Sequence, residues 1–126
     1  MRILLVEPDA QLARTYAQAL HDSGHEVVAA KTAQSAIHAA DAHKPHLVLL
    51  EMQLVSHSGI EFLYEFRSYD DWQNIPVIIL SVVPPGEFAG SRQLLEKELG
   101  VTGYYYKPHT SLAQLCQLVN QSTVDV

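Results

Sequence analysis

Pro45-His46-Leu47-Val48-Leu49-Leu50-Glu51 holds an unbroken apolar run, Leu47 to Leu50, that ends on a carboxylate. A run this short and this apolar suits a strand covered on both faces, although alone it does not exclude a buried helix. Four more runs decide the matter: Ile3 to Val6, Val27 to Ala30, Val77 to Leu80, and Tyr104 to Tyr106. An amphipathic stripe follows each run. Leu12, Tyr16, Ala19 and Leu20 share one helical face behind Asp9, a suitable N-cap. Ala33, Ala36, Ile37 and Ala40 follow the cap Thr32, and Ile60, Phe62, Leu63 and Phe66 form the third stripe. Leu94, Leu95 and Leu99 predict a fourth helix stopped at Gly100, and Leu112, Leu115, Cys116 and Val119 a fifth, entered through Thr110 and Ser111. Five strands alternating with five helices predict an α/β chain with a doubly wound parallel sheet.

Size and charge bound the remaining choices. The chain has 126 residues, 48% of them hydrophobic and 17% charged, with a net charge of -6. This is the composition of one globular domain, expected over residues 1–120 with a fraying tail at 121–126. An acidic balance argues against direct nucleic-acid binding, which needs a basic face. The first apolar run is cut by Glu7, too early for a signal peptide or membrane span. One cysteine, Cys116, forms no internal disulfide, and a cytoplasmic setting is expected.

In a doubly wound sheet, chemistry collects beyond the carboxyl ends of the strands. The residues there are Glu7, Pro8 and Asp9 after the first run, Glu51 after the third, Ser81 after the fourth, and Lys107-Pro108 after the fifth. Two acids, a hydroxyl and a lysine at four strand ends form a plausible single polar site.

With Ile3-Leu4-Leu5-Val6-Glu7, Glu51, Gly59 eight positions later, Ile75-Pro76-Val77-Ile78-Ile79-Leu80-Ser81 and Lys107-Pro108 in this order, the chain resembles the receiver domain of two-component response regulators over essentially its whole length. The resemblance implies a flavodoxin-like, chemotaxis-regulator-like (βα)5 fold with strand order 2-1-3-4-5. It also implies phosphoryl transfer from a histidine kinase to an aspartate ending the third strand. A magnesium ion held by an acidic pair supports that transfer, and a Ser or Thr and a Lys contact the phosphoryl oxygens. Carried over by position, Lys107 is the phosphate-contacting lysine and Pro108 the proline that follows it in cis. Ser81 is the switch hydroxyl, Tyr104 the aromatic rotamer switch, and Glu7 the first member of the acidic pair.

Other positions depart from the family. Glu51 stands where the phosphoacceptor aspartate belongs, Pro8 replaces the second acid, Val55 replaces a proline, and Val82 stands where a small residue is common. Glutamate carries its carboxylate roughly 1.5 Å further, and a misplacement of about 1 Å can cost on the order of 100-fold in rate. Magnesium needs several oxygen ligands, and Pro8 offers none. Glu7, Glu51 and a carbonyl near Gln53 remain, with Asp9 a substitute that is better placed to cap the first helix. Magnesium binding is therefore expected to be weakened, and no other cofactor is expected.

These departures predict an atypical, non-enzymatic receiver that acts by phosphorylation-independent protein contact through the fourth-helix, fifth-strand, fifth-helix face. A Glu51–Lys107 ion pair within about 6 Å would hold it in one signalling state, active-like or inert. A histidine kinase partner and a homodimer are both compatible with the sequence. So are two rival functions: a working phosphoacceptor, and a small-molecule-binding flavodoxin-like domain, the latter disfavoured by Glu7-Pro8-Asp9 where a glycine-rich phosphate loop would lie.

The seven histidines lack metal-ligand spacing and are expected at the surface, with His57 and His109 near the site. Cys116 is expected to pack as a small hydrophobe. Tyr105 is expected in the core, Tyr104 on the partner face, and Pro84-Pro85-Gly86 as a stiff turn. Trp72 is expected to anchor the loop that contains Asp70 and Asp71.

Overall fold

The computed structural model describes residues 1–124. Strands β1 (Arg2–Val6), β2 (Glu26–Ala30), β3 (Leu47–Leu50), β4 (Val77–Ser81) and β5 (Val101–Tyr106) form one parallel sheet, ordered β2-β1-β3-β4-β5. This is the strand order the resemblance implied. Helices α1 (Ala10–Asp22), α2 (Ala33–Ala42), α3 (Gly59–Arg67) and α4 (Leu112–Val124) cover its two faces.

Alternation along the strands divides the core in two. Leu4, Val6, Val48, Leu50, Val77 and Ile79 pack with Ala36, Phe62, Leu63 and Phe66 on the α2–α3 face. Ile3, Leu5, Leu47, Leu49, Ile78 and Leu80 pack with Tyr16, Leu20, Leu115 and Val119 on the α1–α4 face. Both faces of β3 are apolar because both are covered.

The helix starts follow local chemistry. Asp9 accepts from the N–H groups of Gln11 and Leu12 at 2.9 and 3.0 Å. Thr32 and Ser35 form a capping box, and Ser58 accepts from Glu61 N at 3.2 Å. Ser111 and Gln114 close α4 reciprocally, at 3.1 and 2.8 Å.

The expected fourth helix is not an α-helix. A 3-10 stretch, Pro85–Ser91, leads into a π-helical turn, Leu94–Glu98, closed by Leu99 N donating to Leu94 O at 3.0 Å. Pro84, Pro85, Gly86 and Gly90 give the first half little helical propensity. The wider turn still buries Leu95 and Leu99. Gly100 ends it with φ +68°, as the sequence predicts.

Three other expectations are corrected. The tail from Gln121 is helical as far as Val124; Asp125 and Val126 lie outside the described residues. No cis peptide occurs among the described residues, so the Lys107–Pro108 bond is trans. His25 is buried at 7% exposure rather than on the surface. Its Nδ1 lies 3.1 Å from the Met1 ammonium and its Nε2 2.7 Å from Asn120 Oδ1. An ammonium only donates, so Nδ1 accepts and the Nε2 proton goes to Asn120.

At the amino end of the sheet, Arg67 ties α3 to β5. Its guanidinium donates to the carbonyls of Leu99, Trp72 and Gly100 at 2.9, 2.7 and 3.3 Å. A Cβ at Gly100 would lie 2.7 Å from Arg67 Nη2, so the glycine serves the approach as well as the turn. Trp72 anchors its loop as expected, stacked on Phe66 with ring centroids 5.1 Å apart. Replacing Arg67 by Met leaves three carbonyls without their donor and is expected to destabilise the fold by about 3 kcal/mol. Urea unfolding of Arg67→Met and Arg67→Lys checks this, with Lys recovering only part because it lacks the planar fork.

Candidate functional site

Four strands deliver their carboxyl ends to one place. Glu7 follows β1, Glu51 follows β3, Ser81 closes β4 and Lys107 follows β5. Glu7, Glu51 and Ser81 are 3%, 3% and 0% exposed. The Lys107 ammonium donates to Glu7 Oε1 at 2.6 Å and to Glu51 Oε1 at 2.7 Å. The Glu51–Lys107 distance is well inside the range set for pairing.

Every acceptor on Glu51 is engaged. Oε1 takes Lys107 and the Val82 N–H, the latter at 3.0 Å. Oε2 takes the Ser81 hydroxyl and the Gln53 N–H, the latter at 3.1 Å. Burial pushes the Glu51 carboxyl up, but these four donors outweigh it and hold it below the usual carboxylate value. Lys107 behaves reciprocally: burial pulls it down, and hydrogen bonds to Glu51 and Glu7 outweigh that and raise it. Both shifts favour the charged pair.

The bonds continue away from the carboxylate. Ser81 Oγ accepts from Val83 N at 3.0 Å, and Val83 O accepts from the Tyr104 hydroxyl at 2.7 Å. Burial pushes the Tyr104 phenol up, so it remains a donor. Its ring packs on the α2–α3 core and lies 5.9 Å from that of Phe88. Tyr104 is thus turned inward through its hydroxyl while its half-buried ring lines the groove beside Phe88, and Tyr105 packs on the α1–α4 core.

The remaining sequence candidates fall at the rim. Asp9 caps α1, and its own N–H donates to Glu7 Oε2 at 3.0 Å. Gln53 contributes its backbone N–H, held by a close packing of α3 on the loop. Gly59 N donates to Met52 O at 2.8 Å, and a Cβ at Gly59 would meet Met52 Cα at 2.8 Å. Pro108 sits in the 3-10 turn Lys107–His109. His57 pairs with Glu61 at 3.0 Å on the surface, and His109 meets the Tyr106 ring edge-on.

The backbone donors of Gln53 and Val82, and the linking role of Val83, had no side-chain signature in the sequence. Val82 drew notice only for bulk; its side chain is 43% exposed while its N–H faces Glu51. Above the charges lies an open concavity of about 360 Å³ rimmed by Pro8, Leu12, Leu54, Val55 and Val82.

These residues do not fit a divalent cation. Lys107 occupies the space between the two carboxylates, the Glu51 oxygens are saturated by donors, and Pro8 adds no side-chain oxygen. Among the described residues no group of three or more His, Cys, Asp or Glu is arranged to hold a metal.

Comparison with known proteins agrees with the fold. The family model for the response regulator receiver domain matches residues 3–120. The KDP operon transcriptional regulatory protein KdpE of Escherichia coli is 31% identical over 84% of this chain and 44% of its own length. The virulence transcriptional regulatory protein PhoP of Salmonella typhimurium is 33% identical over 64% of this chain and 35% of its own. The chain thus spans less than half the length of these relatives. The chemotaxis response regulator CheY4 of Vibrio cholerae superposes with a TM-score of 0.82 at 20% identity, covering 96% of this chain and 97% of that one. The fold, its strand order and the family match converge on one assignment: the chain belongs to the response regulator receiver domain family of two-component signal transduction.

Proposed function

We propose that this receiver is held in an active-like arrangement by Glu51 and signals by protein contact without accepting a phosphoryl group. The observation that carries this reading is the continuous chain from Lys107 through Glu51, Ser81 and Val83 to the inward-turned Tyr104. In the family the lysine and the hydroxyl contact a phosphoryl group. Here both contact the Glu51 carboxylate, which carries one charge where a phosphoryl group carries nearly two.

Receiver domains are signalling elements, generally not enzymes, and they contact histidine kinases and other proteins. The output surface in this reading is the face built by the Pro85–Glu98 segment, β5 and α4. Phe88, Leu95 and Tyr104 line an open groove of about 560 Å³ there. Neither magnesium nor another cofactor takes part, nucleic acid is not contacted directly, and the setting is cytoplasmic. Among the described residues no helix is long and apolar enough to cross a membrane.

Intact-mass measurement after incubation with acetyl phosphate and magnesium tests the chemistry. The wild type is expected to gain nothing; an increment of about 80 Da, one phosphoryl group, would overturn the reading. The double variant Pro8→Asp, Glu51→Asp restores the acids of the family and is expected to take up the group.

The lock is tested separately. Glu51→Gln leaves an amide N–H₂ facing donors and is expected to cost about 2–3 kcal/mol, less than a wholly broken buried pair because Glu7 still holds Lys107. Aromatic NMR is expected to show Tyr104 leaving its inward position in this variant; an unmoved ring would refute the active-like lock.

The pH dependence follows from the signs. Glu51, lowered in the fold, stabilises above its ordinary value of about 4.3, and that stabilisation disappears as pH falls through the lower folded value. Lys107, raised in the fold, stabilises below about 10.4, and that contribution disappears as pH rises through the higher folded value. Urea titrations are therefore expected to show an acid loss of stability below about pH 4.3 that is smaller in Glu51→Gln.

A further inference from the structure

The outer face of α1 and the first turns of α4 border a groove of about 540 Å³ lined by Arg14, Thr15, Gln18, Ala19, Asp22 and Leu112. It lies on the opposite face of the sheet from α2 and α3. Its floor is closed where the Cys116 thiol donates to Ala19 O at 3.6 Å. Leu112 is 40% exposed, one of the few large apolar side chains left in solvent. Helix α4 contains no charged residue from Leu112 to Val124.

The charges that border this groove are self-complementary. Arg14 has no hydrogen bond or ion pair with any described residue. Asp22 uses Oδ1, which accepts from Gln18 Nε2 at 2.9 Å and lies 3.8 Å from His21, and leaves Oδ2 without a partner. Arg14 and Asp22 are two turns apart, about 12 Å along the axis, with Gln18 midway. A two-fold axis at Gln18 that sets two copies of α1 antiparallel brings Arg14 of each copy to Asp22 of the other.

We propose that this α1–α4 face is a self-association surface, whose occupant is a second copy of the chain held by paired Arg14–Asp22 contacts around Leu112. Local charge is what favours a second copy. The chain as a whole carries -6 and repels its like, whereas on this face Arg14 and Asp22 cancel and α4 adds nothing. An interface depleted of unpaired charge is what association requires. Two helices about 20 Å long and 8–10 Å apart offer a small platform, so the dimer is weak and reversible, at the low end of interface sizes. The surface shares α4 with the output face assigned above but uses the Leu112 edge of that helix beside α1, and it does not involve Glu51.

Sedimentation velocity from low micromolar to near-millimolar concentration tests this with the full chain. The wild type is expected to pass from monomer to dimer. Arg14→Asp and Asp22→Arg each place like charges opposite one another twice in the dimer, and each is expected to weaken it about tenfold or more. The double variant Arg14→Asp, Asp22→Arg restores opposite charges and is expected to recover the wild-type dissociation constant. Both positions are exposed, and circular dichroism verifies the fold of each variant. A wild type that stays monomeric overturns the proposal. Single reversals that dimerise like the wild type, or a swap that fails to recover, also overturn it.

Discussion

One buried ammonium organises the working end of this molecule. Lys107 lies between Glu7 and Glu51 at 2.6 and 2.7 Å, and all three side chains are almost wholly removed from water. Removing ions from water is costly, and mutual attraction offsets that only when geometry is close and leftover lone pairs are satisfied. Two carboxylates and one ammonium leave one negative charge in excess. The surrounding backbone supplies the balance: N–H groups of Asp9, Gln53 and Val82 and the Ser81 hydroxyl all aim at the carboxylates. The loops after β1, β3 and β4 take their shapes in meeting this demand. Gly59 belongs to the same requirement, because only an unbranched backbone lets α3 approach Met52 closely enough to hold the Gln53 loop.

The opposite end of the sheet solves a related problem without acids. Arg67 is satisfied by three carbonyls, whose partial charges solvate its positive charge without neutralising it. The two ends therefore differ in kind: two carboxylates and an ammonium meet at the carboxyl termini of the strands, and a lone guanidinium sits among carbonyls at the amino termini.

The sheet was legible in the sequence because burial on both faces leaves a direct mark, as in Leu47 to Leu50. Strand-end positions then followed, and Asp9 and Thr32 announced their caps through side-chain chemistry. What escaped notice was carried by backbone or by distant partners. Leu94, Leu95 and Leu99 present the same apolar stripe to the core in an α or a π winding, so periodicity could not distinguish them. Gln53 and Val82 act through N–H groups that every non-proline residue possesses. His25 is buried because a chain terminus and Asn120, 95 positions away, converge on it. The inward turn of Tyr104 depended on a carbonyl at Val83, which no spacing rule marks.

Val83 holds Ser81 through its N–H and Tyr104 through its C=O, so a single peptide segment joins the buried charges to the sheet edge. Thermodynamic linkage makes such a connection reciprocal. Under the lock proposed above, in which the ionised carboxylate favours the inward ring, the inward ring favours the ionised carboxylate by the same free energy. A protein that grips the β5 edge with Tyr104 inward therefore raises the acidity of a carboxyl group it never touches. One that draws the ring outward makes Glu51 easier to protonate, and the titration of this glutamate becomes a remote measure of occupancy at the far edge.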